Sequence, residues 1–140
     1  MTVCLSVQKL SVLSGAKLIL HPLSFTVSAG ETVAVTGESG SGKSTLARAL
    51  MGLLPDGFEA SGQVTFEGQN LTTLPERAFR DLRGRRIAMV FQEPMTALNP
   101  IRTIGKQIGD TFRLHGTISS RDISAHVQQL LDRVGLSNAG

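Results

Sequence analysis

Apolar and polar residues alternate in two segments of the chain, and this period of two is typical of half-buried β-strands. The first segment places Leu23, Phe25 and Val27 on one face, and the second is Gln63–Glu67. Strands that keep one polar face usually pair antiparallel. The pattern therefore predicts an antiparallel β region within residues 1–30 and a further half-exposed strand later in the chain.

Two other segments, Thr32–Thr36 and Ile87–Phe91, are nearly continuous in apolar and β-branched residues. Such runs are typical of strands that are covered on both faces. We therefore expect both segments to be buried core strands. The first leads directly into a glycine-rich loop, and the second ends at Gln92.

Helical spacing begins immediately after the glycine-rich loop. Leu46 and Leu50 are apolar residues one helical turn apart, so a helix is predicted from near Lys43. It should stop between Gly52 and Pro55, because glycine and proline end helices. The local order is therefore strand, loop, helix.

Three further helices are predicted downstream. Thr73–Glu76 resembles a capping box with Pro75 at the first helical position, and it opens a short arginine-rich helix through about Leu82. The last two helices are amphipathic. Their apolar residues are Ile104, Ile108 and Phe112 in one, and Ile123, Val127, Leu130, Leu131 and Val134, before a stop at Gly135, in the other.

The composition fits one globular domain without a membrane span. The 140 residues are 41% hydrophobic, yet no run approaches the roughly 18 apolar residues of a spanning helix. We therefore expect a cytoplasmic, non-spanning protein. Cys4 is the only cysteine, and its apolar strand-like surroundings predict a buried, inert thiol. The three histidines are scattered and predict no metal site.

The net charge is +3 and the isoelectric point is near 9.6. The positive excess is concentrated in Arg77, Arg80, Arg83, Arg85 and Arg86. Arginines at helical spacing, without interleaved aromatic residues, indicate a solvated helix face. Nucleic-acid binding is the alternative interpretation that this cluster leaves open.

The glycine-rich loop carries the clearest chemistry. Residues Gly37–Ser44 (GESGSGKS) match the pattern G-x-x-x-x-G-K-[ST], with the preceding strand and following helix that this pattern requires. Glycines let the backbone wrap closely, so successive N–H groups and the helix N-terminus can point at phosphate oxygens. Lys43 is expected to reach the β- and γ-phosphates, and the Ser44 hydroxyl to ligate Mg²⁺. The sequence therefore predicts a site for the triphosphate of Mg-ATP.

Two segments together resemble a known family. Gly37–Thr45 (GESGSGKST) and Met89–Pro100 (MVFQEPMTALNP) resemble the ATP-binding subunits of ABC transporters, most closely the peptide and nickel importer branch. Gln92 follows Lys43 at a separation that suits the family's Q-loop. The resemblance covers nearly the whole chain.

The resemblance implies an α/β fold of the P-loop NTPase (ABC-type ATPase) class. It implies the N-terminal half of that fold, with parallel core strands, an antiparallel β subdomain and the start of a helical subdomain. The corresponding segments are an antiparallel β region at 1–30, a P-loop core reaching the Q-loop at 31–92 and the start of the helical subdomain at 93–140.

The resemblance also implies roles for individual residues. Ser44 would bind Mg²⁺, and Gln92 would touch the metal and the attacking water and sense the transmembrane partner. Glu93 falls on a variable loop position rather than on a catalytic one. The nucleotide-binding Walker A positions are Gly37, Glu38, Ser39, Gly40, Ser41, Gly42, Lys43, Ser44 and Thr45.

Two features depart from the family pattern. Family members usually stack adenine on an aromatic side chain in the N-terminal strands, where this chain has Leu13 or Ser14 and no Tyr or Trp anywhere. We therefore expect weak discrimination between bases. The signature motif, the Walker B carboxylates, the D-loop and the switch histidine, which come later in family members, do not occur in the sequence. We expect the first half or so of an ATPase subunit, inactive by itself.

The resemblance implies an importer subunit that couples ATP binding and hydrolysis to uptake of peptides, nickel or a related solute. Its implied partners are a second ATP-binding subunit in a dimer, transmembrane permease subunits and, indirectly, a solute-binding protein. Its implied place is the cytoplasmic face of the membrane, held through the permease. Two alternatives stay open: a non-catalytic nucleotide-binding fragment, and a soluble ABC-type ATPase that acts on nucleic acid.

Overall fold

The computed structural model describes residues 2–92, 98–116 and 118–136. The chain forms two units, Met1–Met89 and Val90–Gly140. Glu93 and the part of the predicted Q-loop segment at 94–97 lie outside the described residues.

The first unit contains a four-stranded antiparallel sheet. Its strands are β1 (Val3–Ser14), β2 (Lys17–Ser28), β3 (Phe58–Phe66) and β4 (Gln69–Asn70), in the order β2-β1-β3-β4. The two strands predicted from alternating residues are confirmed: the first is the second half of β2, and the second is the end of β3. Both pair antiparallel with β1.

One face of this sheet carries the core of the first unit. Helix α1 (Lys43–Leu50) starts at the predicted residue and contributes the buried Leu46. Helix α2 (Glu76–Leu82) contributes the buried Phe79. The core side chains are Val7, Leu10, Val12, Leu20, Leu46, Val64, Leu71 and Phe79.

The prediction of two buried core strands is wrong. It concerned Thr32–Thr36 and Ile87–Phe91. Residues 32–36 and 88–91 belong to no strand, and Ile87 makes only an isolated parallel bridge with Arg83. Val35 is 51% exposed and Val90 is 93% exposed, so neither segment is buried as expected. A β-branched run becomes a strand only where a neighbour pairs with its backbone. Among the described residues of the first unit, no ladder joins residues 32–36 to 87–89.

The predicted capping box at Thr73–Glu76 is also wrong, although the helix ends at Leu82 as expected. Pro75 is the N-cap residue rather than the first helical one, and no side chain caps α2. A capping-box carboxylate must stand three residues into the helix. Glu76 stands at the first helical position, where its carboxylate pairs with Arg83 instead.

The second unit contains the two predicted amphipathic helices, α3 (Ile104–His115) and α4 (Ile123–Arg133). Ile108 and Phe112 of α3 pack against a buried cluster of α4 that is formed by Ile123, Val127 and Leu131. None of the helices in the described ranges combines the length and the apolar character needed to cross a bilayer.

Two sequence expectations about single side chains are met only in part. Cys4 lies in β1 but is half-buried rather than buried. Arg77, Arg80, Arg85 and Arg86 are exposed, as the solvated-face interpretation predicted. Arg83 is different, because its side chain is only 18% exposed and packs against the first unit.

Candidate nucleotide-binding site

The predicted phosphate loop connects residues 31–36 to α1. Gly37–Ser41 are exposed, and Gly42 is buried at the N-cap of the helix. The Ser41 N–H donates to the carbonyl oxygen of Glu38 at 3.2 Å, which closes a turn in the middle of the loop. The nine predicted nucleotide-binding residues therefore form one accessible loop and the first turn of one helix.

Gly42 sets the position of α1 on the sheet. Its φ of 92° lies in the left-handed region, which side-chain-bearing residues rarely adopt. A Cβ at this residue would lie 2.9 Å from the carbonyl oxygen of Ile19 and 3.2 Å from Cδ1 of Leu20. Only glycine therefore lets the helix begin in direct contact with β2.

The N-terminus of α1 is free to bind an anion. The first backbone hydrogen bond of the helix runs from Leu46 N–H to the Gly42 carbonyl at 2.8 Å, so the N–H groups of Lys43, Ser44 and Thr45 point out of the helix end. No side chain caps these donors, and the first turn carries no acidic residue. The positive end of the helix dipole adds to their attraction for phosphate.

The Lys43 ammonium is held inside the loop by three contacts. It donates to the carbonyl oxygen of Gly37 at 2.8 Å, to that of Glu38 at 2.6 Å and to Ser41 Oγ at 3.4 Å. An ammonium has three donor hydrogens, so these contacts account for all of them. The Ser41 contact is the longest, and it is the one that a charged phosphate oxygen can most readily replace.

The remaining predicted ligands occupy different environments. Ser44 is exposed on the first turn of α1, where its hydroxyl can reach a hydrated cation, and Thr45 is half-buried. Gln92 belongs to the second unit and is an exposed residue in a bend. The assignments of Ser44 and Gln92 as Mg²⁺ ligands stay predictions.

Arg83 secures the opposite end of α1, and sequence reasoning missed this role. Its guanidinium donates to the carbonyl oxygens of Met51 at 2.8 Å and Gly52 at 2.9 Å. It also lies 4.6 Å from the centre of the Phe79 ring. The hydrogen bond from Arg83 holds the pKa of the Glu76 carboxyl below its usual value, with a smaller opposing effect of desolvation. The predicted end of α2 at Leu82 could have indicated this role, because Arg83 then lies beyond the helix and off the face that carries Arg77 and Arg80.

The expected adenine platform lies at the end of β1. Ser14 pairs with Lys17 of β2 on one side and with Phe58 of β3 on the other. Leu13 pairs with Leu18 and Glu59 instead. Sequence reasoning missed Phe58 because its place beside Ser14 depends on the register of two strands that are distant in the chain.

The sequence matches the ABC transporter family over residues 20–140. The chain belongs to the ABC transporter family. This ABC ATPase domain is therefore a P-loop NTPase with an antiparallel sheet and several helices, and nucleotide binding follows from its class. The early recognition of the family from the phosphate loop and the Q-loop segment is confirmed.

Several ABC ATP-binding proteins are similar to this chain. The peptidoglycan transport ATP-binding protein YejF of Agrobacterium fabrum is 44% identical over 138 residues, which cover 94% of this chain and 25% of that protein. The oligopeptide transport ATP-binding protein OppD of Salmonella typhimurium is 42% identical over 120 residues, which cover 86% of this chain and 36% of that protein. OppD of Haemophilus influenzae is 41% identical over 125 residues, which cover 89% of this chain and 39% of that protein. The chain thus spans between a quarter and two fifths of the length of these relatives.

Proposed function

We propose that this chain is the nucleotide-binding part of an ABC importer ATPase that uses Mg-ATP to energise the uptake of peptides, nickel or a related solute. The observation that carries the proposal is the Lys43 ammonium, which the loop carbonyls hold beside the uncapped N-terminus of α1. The names of the relatives, which refer to oligopeptide and peptidoglycan transport, support a peptide class of cargo.

The loop would bind the triphosphate by exchanging contacts that it already makes. The Lys43 ammonium would give up its 3.4 Å contact with Ser41 for a β- or γ-phosphate oxygen, and this exchange replaces a long contact to a neutral hydroxyl with a contact between two opposite charges. The outward N–H groups of the first turn would bind a second set of phosphate oxygens. Mg²⁺, when held by Ser44, would neutralise charge on the same phosphates.

Hydrolysis belongs to the complete protein in this proposal. Water would attack the γ-phosphate in line, within a dimer of ATP-binding subunits in which each site is completed by its partner. The permease subunits would hold this dimer at the cytoplasmic face of the membrane, and a solute-binding protein would deliver the cargo to the permease.

The nucleic-acid alternative is weakened by the structure of the arginine segment. The Arg83 guanidinium is occupied by Glu76 and two main-chain carbonyls. Arg86 forms an ion pair with Glu67. Arg83 and Arg86 are therefore already engaged within the first unit, and the importer proposal stands ahead of this alternative. A non-catalytic nucleotide-binding fragment differs from the importer proposal only in the chemistry that follows binding.

Titration of a fluorescent ATP analogue tests the proposal. Lys43→Ala should weaken binding by about tenfold or more, because a hydrogen bond to a charged group contributes about 1.5–3 kcal/mol. Lys106→Ala is the matched control, since Lys106 is an exposed lysine of α3, and its affinity should equal that of the wild type. Chelation of Mg²⁺ should weaken wild-type binding. Equal affinities for wild type and Lys43→Ala would exclude the phosphate-loop assignment.

A further inference from the structure

We propose that the ring of Phe58 is the surface on which the base of the bound nucleotide stacks; this inference rests on the proposed function. It concerns the end of the β1–β2 hairpin, where the chain turns from Ser14 to Lys17.

Helix α1 begins over the end of the sheet that is nearer this turn. Its N-cap residue, Gly42, packs on Leu20, and Leu20 lies in one row of the sheet with Val12 and Ala60. The later residues Leu50 and Met51 line a cavity of about 650 Å³ together with Leu5 and Phe66, which pair at the far end of the β1–β3 ladder. The N-terminus of the helix, and with it the phosphate loop, therefore faces the turn.

Phe58 lies on the same face of the sheet, one step closer to the turn. The β1–β3 register is unbroken from the Val12–Ala60 pair to the Ser14–Phe58 pair. Residues two apart on a strand share a face and lie about 7 Å apart. The Ser14–Phe58 pair thus lies on the α1 side, about 7 Å beyond the row on which the helix begins.

Phe58 is packed against the core but keeps part of its surface exposed. Phe58 is half-buried and packs against the core of the first unit, which holds the ring in a fixed position. Its direct neighbour on β1 is Ser14, which has a small side chain. A phosphate-anchored nucleotide that extends toward the turn therefore meets a fixed aromatic surface.

The other phenylalanines of the first unit are poorly placed for this role. The chain has six Phe and no Tyr or Trp. Phe66 lies at the opposite end of β3 beside Leu5, and Phe79 is buried. Phe25 pairs with Val7, well away from the turn. Stacking tolerates every base because each has a π-face, so the inferred ligand is a nucleoside triphosphate with little preference between adenine and guanine.

The test compares ATP with inorganic tripolyphosphate, which offers the phosphates but no base. Phe58→Leu keeps an apolar side chain against the core and removes the ring, and Phe66→Leu is the matched control on the same strand. We expect Phe58→Leu to weaken ATP binding about tenfold and to leave tripolyphosphate binding unchanged, whereas Phe66→Leu changes neither affinity. Unchanged ATP affinity in Phe58→Leu, or an equal loss for both ligands, would overturn the inference.

A fluorescence experiment gives an independent readout. Because the chain has no tryptophan, Phe58→Trp and Phe66→Trp each carry a single indole. ATP and GTP should quench the emission of Phe58→Trp, whereas tripolyphosphate should not. None of the three ligands should change the emission of Phe66→Trp. Absence of ATP quenching in Phe58→Trp, while Lys43→Ala still weakens ATP binding, would overturn the stacking surface alone. Failure of the wild type to bind either ATP or tripolyphosphate would overturn the proposed function and this inference together.

Discussion

The side chain of Arg83 binds the end of the phosphate-loop helix, because its Nε donates a 2.8 Å hydrogen bond to the carbonyl oxygen of Met51. Met51 is the C-cap residue of α1, so this contact satisfies one of the carbonyls that every helix leaves without a partner at its end. The same guanidinium binds Gly52 and Glu76. One residue thereby ties α1 to α2.

Replacement of Arg83 should destabilise the first unit. Arg83→Ala leaves two carbonyls without their charged donor, and hydrogen bonds to charged groups contribute about 1.5–3 kcal/mol. Urea unfolding should show a lower midpoint for Arg83→Ala than for the wild type. Arg80→Ala, on the exposed part of the same helix, should stay within about 0.5 kcal/mol of the wild type. Equal midpoints for the two variants would mean that the contacts of Arg83 contribute nothing.

The ion pair between Arg83 and Glu76 should make stability depend on pH in one direction. The hydrogen bond from Arg83 lowers the pKa of Glu76 in the folded protein, so its contribution is fully present above the ordinary glutamate pKa and is lost as the pH falls through the lowered value. Urea midpoints of wild type and Glu76→Gln should differ at pH 7 and converge as the pH falls below about 4. The hydrogen bond from Arg102 also lowers the pKa of Asp110, so this group changes stability with pH in the same direction. Asp110 is present in both the wild type and Glu76→Gln, so it does not contribute to the difference between them. A difference that grows on acidification would contradict the assignment.

A tyrosine at position 14 should tighten nucleotide binding. Ser14→Tyr adds a second ring beside Phe58 on the α1 side of the sheet, and a stacking contact of about 1.4 kcal/mol corresponds to tenfold in affinity. Leu13→Tyr is the matched control, because alternate residues point to opposite faces and its ring would lie on the other side. Titration with ATP and GTP measures both effects. If Ser14→Tyr binds no more tightly than the wild type, the base does not lie at this turn.

The chain by itself should not release phosphate from ATP above the background rate. Phosphoryl transfer depends on positioning and charge stabilisation. The sequence contains neither the Walker B carboxylates nor a signature motif of the family. A coupled phosphate-release assay over a range of ATP concentrations measures this. Release that disappears in Lys43→Ala would show that the phosphate loop supports turnover without those groups.

The chain should be marginally stable or self-associate through residues 32–36. Val33 and Val35 are 42% and 51% exposed, and their backbone belongs to no ladder. They line a cavity of about 390 Å³ with Phe25 and Leu46, so an unpaired segment and an apolar surface coincide. Sedimentation velocity over a concentration series should show association that Val35→Lys reduces. Val134→Lys, at the end of α4, is the control and should not reduce the association. A sharp two-state melt of a monomer would contradict the prediction.

The helices and the phosphate loop could be predicted from the sequence because they depend on near neighbours in the chain. Lys43 contacts Gly37, Glu38 and Ser41, all within six residues, so the spacing of the motif already contains the geometry. The helical register of α3 and α4 follows in the same way from apolar spacing. The family could be recognised for the same reason, since its motifs are short and contiguous.

The tertiary structure decided the features that depend on distant partners. Thr32–Thr36 has the composition of a buried strand, but whether it forms one depends on a neighbouring backbone that its own residues do not specify. The two roles that sequence reasoning missed, Arg83 at the end of α1 and Phe58 beside Ser14, each join residues that are far apart in the chain. Local propensity determined where the chain turns and where its helices begin, whereas strand register and side-chain burial arose only when separate segments packed together, because a hydrogen-bond ladder and a core each need two surfaces.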